Sequence, residues 1–120
     1  MPGKTKQPTK KEPLSREALE IVASRFRAMG DATRLELLQA LMEGEKSVQE
    51  LSAITEMSQA NISKHLSVLL DQGILSKRKS GLYSLYRVTD QSVFDLCNVV
   101  CKSIANRHLK VHEEFLGSGI

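Results

Sequence analysis

Positions 58–65 read Ser58-Gln59-Ala60-Asn61-Ile62-Ser63-Lys64-His65, a run dense in short polar side chains. Gln and Asn donate and accept at once, so each suits the edge of a base, while Ser and Lys suit the phosphates that fix register. Lys77-Arg78-Lys79 follows closely, a cationic triplet suited to a nucleic-acid backbone. A second set lies further along: Asp95, Cys97, Cys101 and His108. Cysteines four apart share one face of a helix, which suits joint coordination of a soft metal or an arsenical, or a thiol sensor. A disulfide between them within one helix is geometrically difficult. Both sets also have plainer readings. The polar run suits the solvated side of an amphipathic helix, and the cysteines, set among Val93, Leu96, Val100 and Ile104, suit apolar packing.

The elements that must hold these residues can be read from periodicity and capping. Ser15 is an acceptable N-cap, and Leu19, Val22, Ala23 and Phe26 then recur at helical spacing, predicting a first helix over about 16–28. Gly30-Asp31 breaks and recaps the chain, and Leu35, Leu37, Leu38 and Leu41 give a second helix that stops before Gly44. Ser47 with Glu50 forms a capping box for a short third helix over 48–55. After a turn at Met57-Ser58, Ser58 caps a fourth helix whose Ile62, Leu66, Leu69 and Leu70 point one way; it ends at Gly73. Two strand-like runs follow, Ile74 to Arg78 and Leu82 to Thr89, separated by Lys79-Ser80-Gly81. The segment from Ser92 to about Phe115 reads as one long helix. The fold class is therefore mainly α with a small β-hairpin wing, a winged helix-turn-helix. The hairpin can straddle the backbone beside the fourth helix, which gives the two polar stretches a common partner in double-stranded DNA.

Size and composition bound the function. A chain of 120 residues suits one compact domain, here 15–117, with a flexible basic arm over 1–14 that carries Lys4, Lys6, Lys10 and Lys11 against Glu12. The net charge of +3 equals that of this arm, yet positive charge is again concentrated over 58–89. No stretch is long and apolar enough to span a membrane, and two cysteines do not make the framework of an extracellular domain, so a cytoplasmic location is expected. No phosphate loop, nucleophile elbow or His-Glu hydrolase spacing is present, which argues against an enzyme. A winged helix serving only protein interaction remains a physical alternative. The long last helix has more apolar face than one small domain can cover, which points to a homodimer and so to a palindromic site with half-sites one DNA turn apart.

Residues 20–115 resemble the ArsR-type winged-helix repressors. The likeness rests on Phe26-Arg27-Ala28-Met29-Gly30-Asp31-Ala32-Thr33-Arg34-Leu35, on Ser58 to Leu66 as recognition helix, on Gly73-Ile74-Leu75 leading into the hairpin, and on Tyr86-Arg87-Val88 closing it. It implies a repressor that dimerises through its first and last helices, occupies a palindrome near a promoter, and leaves when an effector binds. The family's thiolate site near helix three finds no Cys or His over 45–57. Its second metal site uses an Asp-x-His pair and a later His. Here Asp95-Leu96-Cys97 with His108 and His112 matches it in part, with cysteine in place of the first histidine and His112 one residue out of step. No resident cofactor is implied, and the effector expected is a transition metal, an arsenical or a thiol-reactive compound. Arg34 is expected either to brace the start of helix two through a salt bridge or to touch phosphate.

Overall fold

The computed structural model describes residues 12–107. The chain runs α1 (Arg16–Met29), α2 (Ala32–Leu41), β1 (Lys46–Ser47), α3 (Val48–Thr55), α4 (Gln59–Asp71), β2 (Leu75–Ser80), β3 (Tyr83–Val88) and α5 (Ser92–Arg107). Four helices begin on a side-chain cap that satisfies an otherwise orphaned amide. Ser15, Asp31, Ser47 and Ser58 each accept a hydrogen bond from the backbone N–H three residues on. At α3 the box is complete, with Ser47 N donating to Glu50 Oε1 at 2.8 Å and Glu50 N donating to Ser47 Oγ at 3.1 Å.

The end of α4 is set just as specifically. Gly73 takes φ +73°, Ile74 N donates to Leu69 O at 3.1 Å, and Gly73 N donates to Leu70 O at 2.9 Å. This is a Schellman ending, and its customary apolar contact is supplied by Leu69 and Ile74, both fully buried. The turn throws the chain directly from α4 into the hairpin.

Leu37, Leu38 and Leu41 from α2, Leu51 from α3, and Ile62, Leu66 and Leu69 from α4 make one core cluster. The sheet closes it with Leu75, Tyr86 and Val88, and α5 adds Val93. The expected mainly helical fold with a β-hairpin wing is the fold observed, and two details of the wing differ from expectation. The turn is the two-residue Gly81-Leu82, with Ser80 opposite Tyr83, so Lys79 and Ser80 belong to the strand. Gly81 at φ +64° occupies the first central position of that turn, where a II′ hairpin takes glycine. The sheet also has a third strand, in the order β1-β3-β2, because Lys46 and Ser47 pair with Tyr86 and Leu85. Two residues carry no alternation, so their sequence gave no sign of it.

The apolar face predicted for α1 is formed but is left largely open among the described residues. Leu19, Val22 and Phe26 are 50%, 39% and 55% exposed, and α5 leaves Val99, Val100 and Ile104 open. The last helix is described as far as Arg107; its expected continuation to Phe115, with His108 and His112, lies outside the described residues, as does most of the basic arm.

Two substitutions test this account. Leu66→Ala, at a fully buried site on α4, is expected to cost about 2–5 kcal/mol in urea unfolding. Gly73→Ala, which forces an L side chain to positive φ, is expected to cost about 1–2 kcal/mol.

Candidate nucleic-acid interface

The turn between α3 and α4 is built by side chains that answer the backbone. Glu56 caps α3 in the left-handed region at φ 66°. Ser52 Oγ donates to Met57 O at 2.7 Å, and Thr55 Oγ1 accepts from Met57 N at 3.3 Å. Ser58 spends its hydroxyl as the α4 cap, accepting from Asn61 N at 3.1 Å. Its role is therefore to start the helix at a fixed point.

From there α4 divides by its 3.6-residue period. Ile62, Leu66 and Leu69 are buried, while Gln59, Ala60, Asn61, Ser63, Lys64 and Ser67 are exposed. Ala60, Lys64 and Ser67 fall on the side opposite the buried stripe, and Gln59, Asn61 and Ser63 flank it. This gives a helix seated on apolar side chains with a polar, sterically light outer face, the shape a major groove admits.

His65 stands apart from that outer face. It is half-buried, and its Nδ1 lies 3.1 Å from Arg34 Nη1. A guanidinium only donates, so Nδ1 is the acceptor in this contact. Arg34 also donates from Nε to Ala28 O at 2.6 Å and from Nη2 to Arg27 O at 3.2 Å. It thus braces the end of α1 through carbonyls, where the sequence left a salt bridge at the start of α2 or a phosphate contact as the alternatives. Asp31, which caps α2, is held below the usual carboxylate range first by the Arg34 backbone N–H and then by the Arg34 charge.

Strand alternation separates the cationic triplet. Lys77 and Lys79 share a face with Leu75, and Lys77 Nζ lies 5.9 Å from the centre of the Tyr86 ring opposite it. Arg78 is on the other face, where Nε and Nη2 hold Glu45 in a two-pronged pair at 3.1 and 2.5 Å. That hydrogen-bonded pair lowers the Glu45 carboxyl below its usual range, and Arg87 adds to the effect. Arg78 thereby ties the wing to the loop ahead of β1, leaving Lys77 and Lys79 as the cations of the triplet with no carboxylate partner among the described residues. Sequence reasoning missed Glu45 and counted Arg87 only within the basic stretch over 58–89; the period-2 pattern of β3 places Arg87 opposite Ser76 on the Arg78 face.

The second candidate set behaves differently. Cys97 and Cys101 are both half-buried and free. They wall an apolar cavity of about 390 Å³ between α1, α2 and α5, with Phe26, Met29, Leu35 and Leu96. Burial pushes the Cys97 thiol up, and Cys101 beside it adds to the rise. Asp95 is exposed and does not line that cavity, and His108 lies outside the described residues. Among the described residues no three His, Cys, Asp or Glu side chains gather as a metal-binding group, and no helix is long and apolar enough to cross a membrane.

Comparison with known proteins bears on this arrangement. Residues 31–77, from the α2 cap to the middle of β2, match the profile of the family described as "Bacterial regulatory protein, arsR family". A probable mercury resistance operon repressor of Streptomyces lividans is 44% identical over 71 residues, 59% of this chain and 57% of that protein. The match thus spans little more than half of that relative. The arsenical resistance operon repressor of Bacillus subtilis is 35% identical over 78 residues, 64% of this chain and 74% of the relative. Among solved structures, the homodimeric winged helix-turn-helix DNA-binding domain of a possible ArsR-family regulator from Mycobacterium bovis superposes with a TM-score of 0.69. It is 28% identical, covering 80% of this chain and 94% of the other.

The carboxylates set a pH dependence. Asp31, Glu45 and Asp90, the last held down first by the Ser92 hydroxyl and then by Arg25, all titrate below their usual range in the folded protein. In acid the unfolded chain therefore binds more protons, and stability rises with pH there. Thermal unfolding followed from pH 7 downward is expected to hold its midpoint to about pH 5, then to fall as pH drops through the lowered carboxylate values. Glu45→Gln is expected to flatten part of that fall.

Proposed function

Since the chain belongs to the arsR family of bacterial regulatory proteins, we propose that it is a cytoplasmic transcriptional repressor that binds a palindromic operator as a homodimer and is released by a thiol-directed effector. The observation that carries the reading is the recognition helix: α4 buries Ile62, Leu66 and Leu69 and leaves Gln59, Asn61, Ser63 and Lys64 on an exposed face beside a basic hairpin. Gln59 and Asn61 have the paired donor and acceptor that base edges require, Ser63 and Lys64 reach phosphate, and Ala60 offers a small apolar contact for a thymine methyl. Lys77 and Lys79 extend the phosphate contacts along the flanking backbone.

Dimerisation is supported by the apolar residues that α1 and α5 leave open. Leu19, Ile21, Val22 and Phe26 on one helix and Val99, Val100 and Ile104 on the other are more than a third exposed, an apolar surface large for a monomer of this size. A two-fold pairing of these helices sets two recognition helices about 34 Å apart, one turn of DNA. The M. bovis domain of similar fold is homodimeric, and the S. lividans and B. subtilis relatives are mercury and arsenical resistance repressors. Soft thiophiles of that kind suit Cys97 and Cys101, which share a cavity wall adjoining the proposed dimer face. Asp95, and His108 if the last helix continues, would be the harder ligands of a transition-metal site completed across the dimer.

Titration on the protein's own promoter region at two salt concentrations, with and without Zn(II), As(III) and a polysulfide, tests the whole reading. Specific binding that weakens steeply with salt and is released by one of these agents is the expected outcome. Binding that shows no sequence preference would favour a winged helix used for protein contact. Gln59→Ala or Asn61→Ala is expected to cost about 1–3 kcal/mol of operator affinity and to relax specificity at one base pair. Cys97→Ser with Cys101→Ser is expected to leave DNA affinity intact and to abolish release.

A further inference from the structure

Two arginines tie the recognition helix to α1, Arg34 by bridging the two from α2 and Arg25 directly from α1. Arg34 lies in the first turn of α2. Its Nε and Nη2 are seated on the carbonyls of Ala28 and Arg27, in the last turn of α1 where helix carbonyls lack intrahelical partners. The remaining arm, Nη1, reaches His65 Nδ1 in the middle of α4 at 3.1 Å. Arg25 lies on α1 itself. Its Nη2 donates to Gln72 O, the C-cap of α4, at 2.6 Å, and its Nη1 pairs with Asp90 Oδ2 at 2.5 Å. Asp90 is fixed in turn by Ser92 at the start of α5, accepting from the backbone N at 3.0 Å and from Oγ at 2.5 Å.

Apolar packing of Ile62, Leu66 and Leu69 keeps α4 on the core, but that force is non-directional and tolerates small rotation and sliding. Planar guanidinium forks tolerate much less, because each arm has a fixed direction. His65 and Gln72 are two helical turns apart, so ties at both fix rotation about the axis as well as position along it. We infer that Arg25 and Arg34 are positioning residues for DNA reading: together they set the register in which the outer face of α4 meets the groove, and neither is a phosphate ligand. Through Asp90, Arg25 also makes the start of α5 part of the same assembly, so the recognition helix, the proposed dimer helices and the helix bearing the cysteines share one residue.

This inference rests on the DNA-binding reading, and the test separates the two. Two duplexes are used: one selected from random sequence by the wild-type protein, and one of scrambled sequence. Affinity for each is measured across a salt series for wild type, Arg34→Lys, Arg25→Lys, His65→Gln and His65→Leu, with circular dichroism melting of each variant. A positioning role predicts that R34K and R25K lose roughly tenfold or more on the selected duplex. Both should keep their affinity for the scrambled one, because the phosphate contacts remain. Their salt slope should be unchanged, and H65Q, which retains an acceptor, should outperform H65L. A phosphate role predicts the opposite: lysine substitutes well, and any loss is equal on both duplexes with a slope shallower by about 0.9 per contact removed. Discriminating wild type with equally discriminating variants would overturn this inference alone. A wild type that prefers neither duplex would overturn the DNA-binding reading, and this inference with it.

Discussion

A helix that offers one face to a ligand must be held entirely by the other, and in this protein that duty falls on three residues of α4. Ile62, Leu66 and Leu69 have no exposed surface, and the rest of the molecule is arranged to supply what they pack against. Leu37, Leu38 and Leu41 come from α2, Leu51 from α3, and Leu75, Tyr86 and Val88 from the sheet. Short helices of 8 to 14 residues are marginal alone in water. Their stability is borrowed from this shared core, and the caps at Ser15, Asp31, Ser47 and Ser58 decide where each begins.

The wing follows from how α4 ends. The Schellman turn at Gly73 places Ile74 against Leu69 and sends the chain straight into β2, so the hairpin emerges beside α4 with no flexible connection. Pairing of β1 with β3 and the Arg78 pair with Glu45 hold its inner half to the body of the domain. That leaves Lys77 and Lys79 on one face of a supported strand instead of a free loop. In the proposed complex, helix and wing approach DNA as a single rigid surface, which spares the ordering cost that loose cationic segments incur on binding.

Among the described residues, the other half of the molecule is less closed. The apolar residues of α1 and α5 are open, and the cavity walled by Cys97 and Cys101 lies between those helices and α2. Burial keeps the Cys97 thiol protonated more readily than a free cysteine, so its reactivity toward a thiophile depends on that enclosure as well as on its partner sulfur. Arg25 joins this half to the end of α4 through Gln72 and to the start of α5 through Asp90.

The sequence by itself determined the order and nature of the helices, the hairpin and the polar stripe of α4, because these depend on local signals: caps, a 3.6-residue apolar period and a glycine turn. It also singled out the run from Ser58 to His65 and the cysteine pair by residue type and spacing. The tertiary structure alone decided what those side chains do. Alternation put Arg78 on the opposite face from Lys77 and Lys79 and gave it to Glu45, a residue 33 positions away. Folding turned His65 toward Arg34, 31 positions distant, and brought Arg25 to Asp90 across 65. The third strand appeared only because β3 was there to pair with it. No local period records such pairings, since they join segments whose separation along the chain exceeds any helix or hairpin, and only the packing of the whole core brings them within hydrogen-bonding distance.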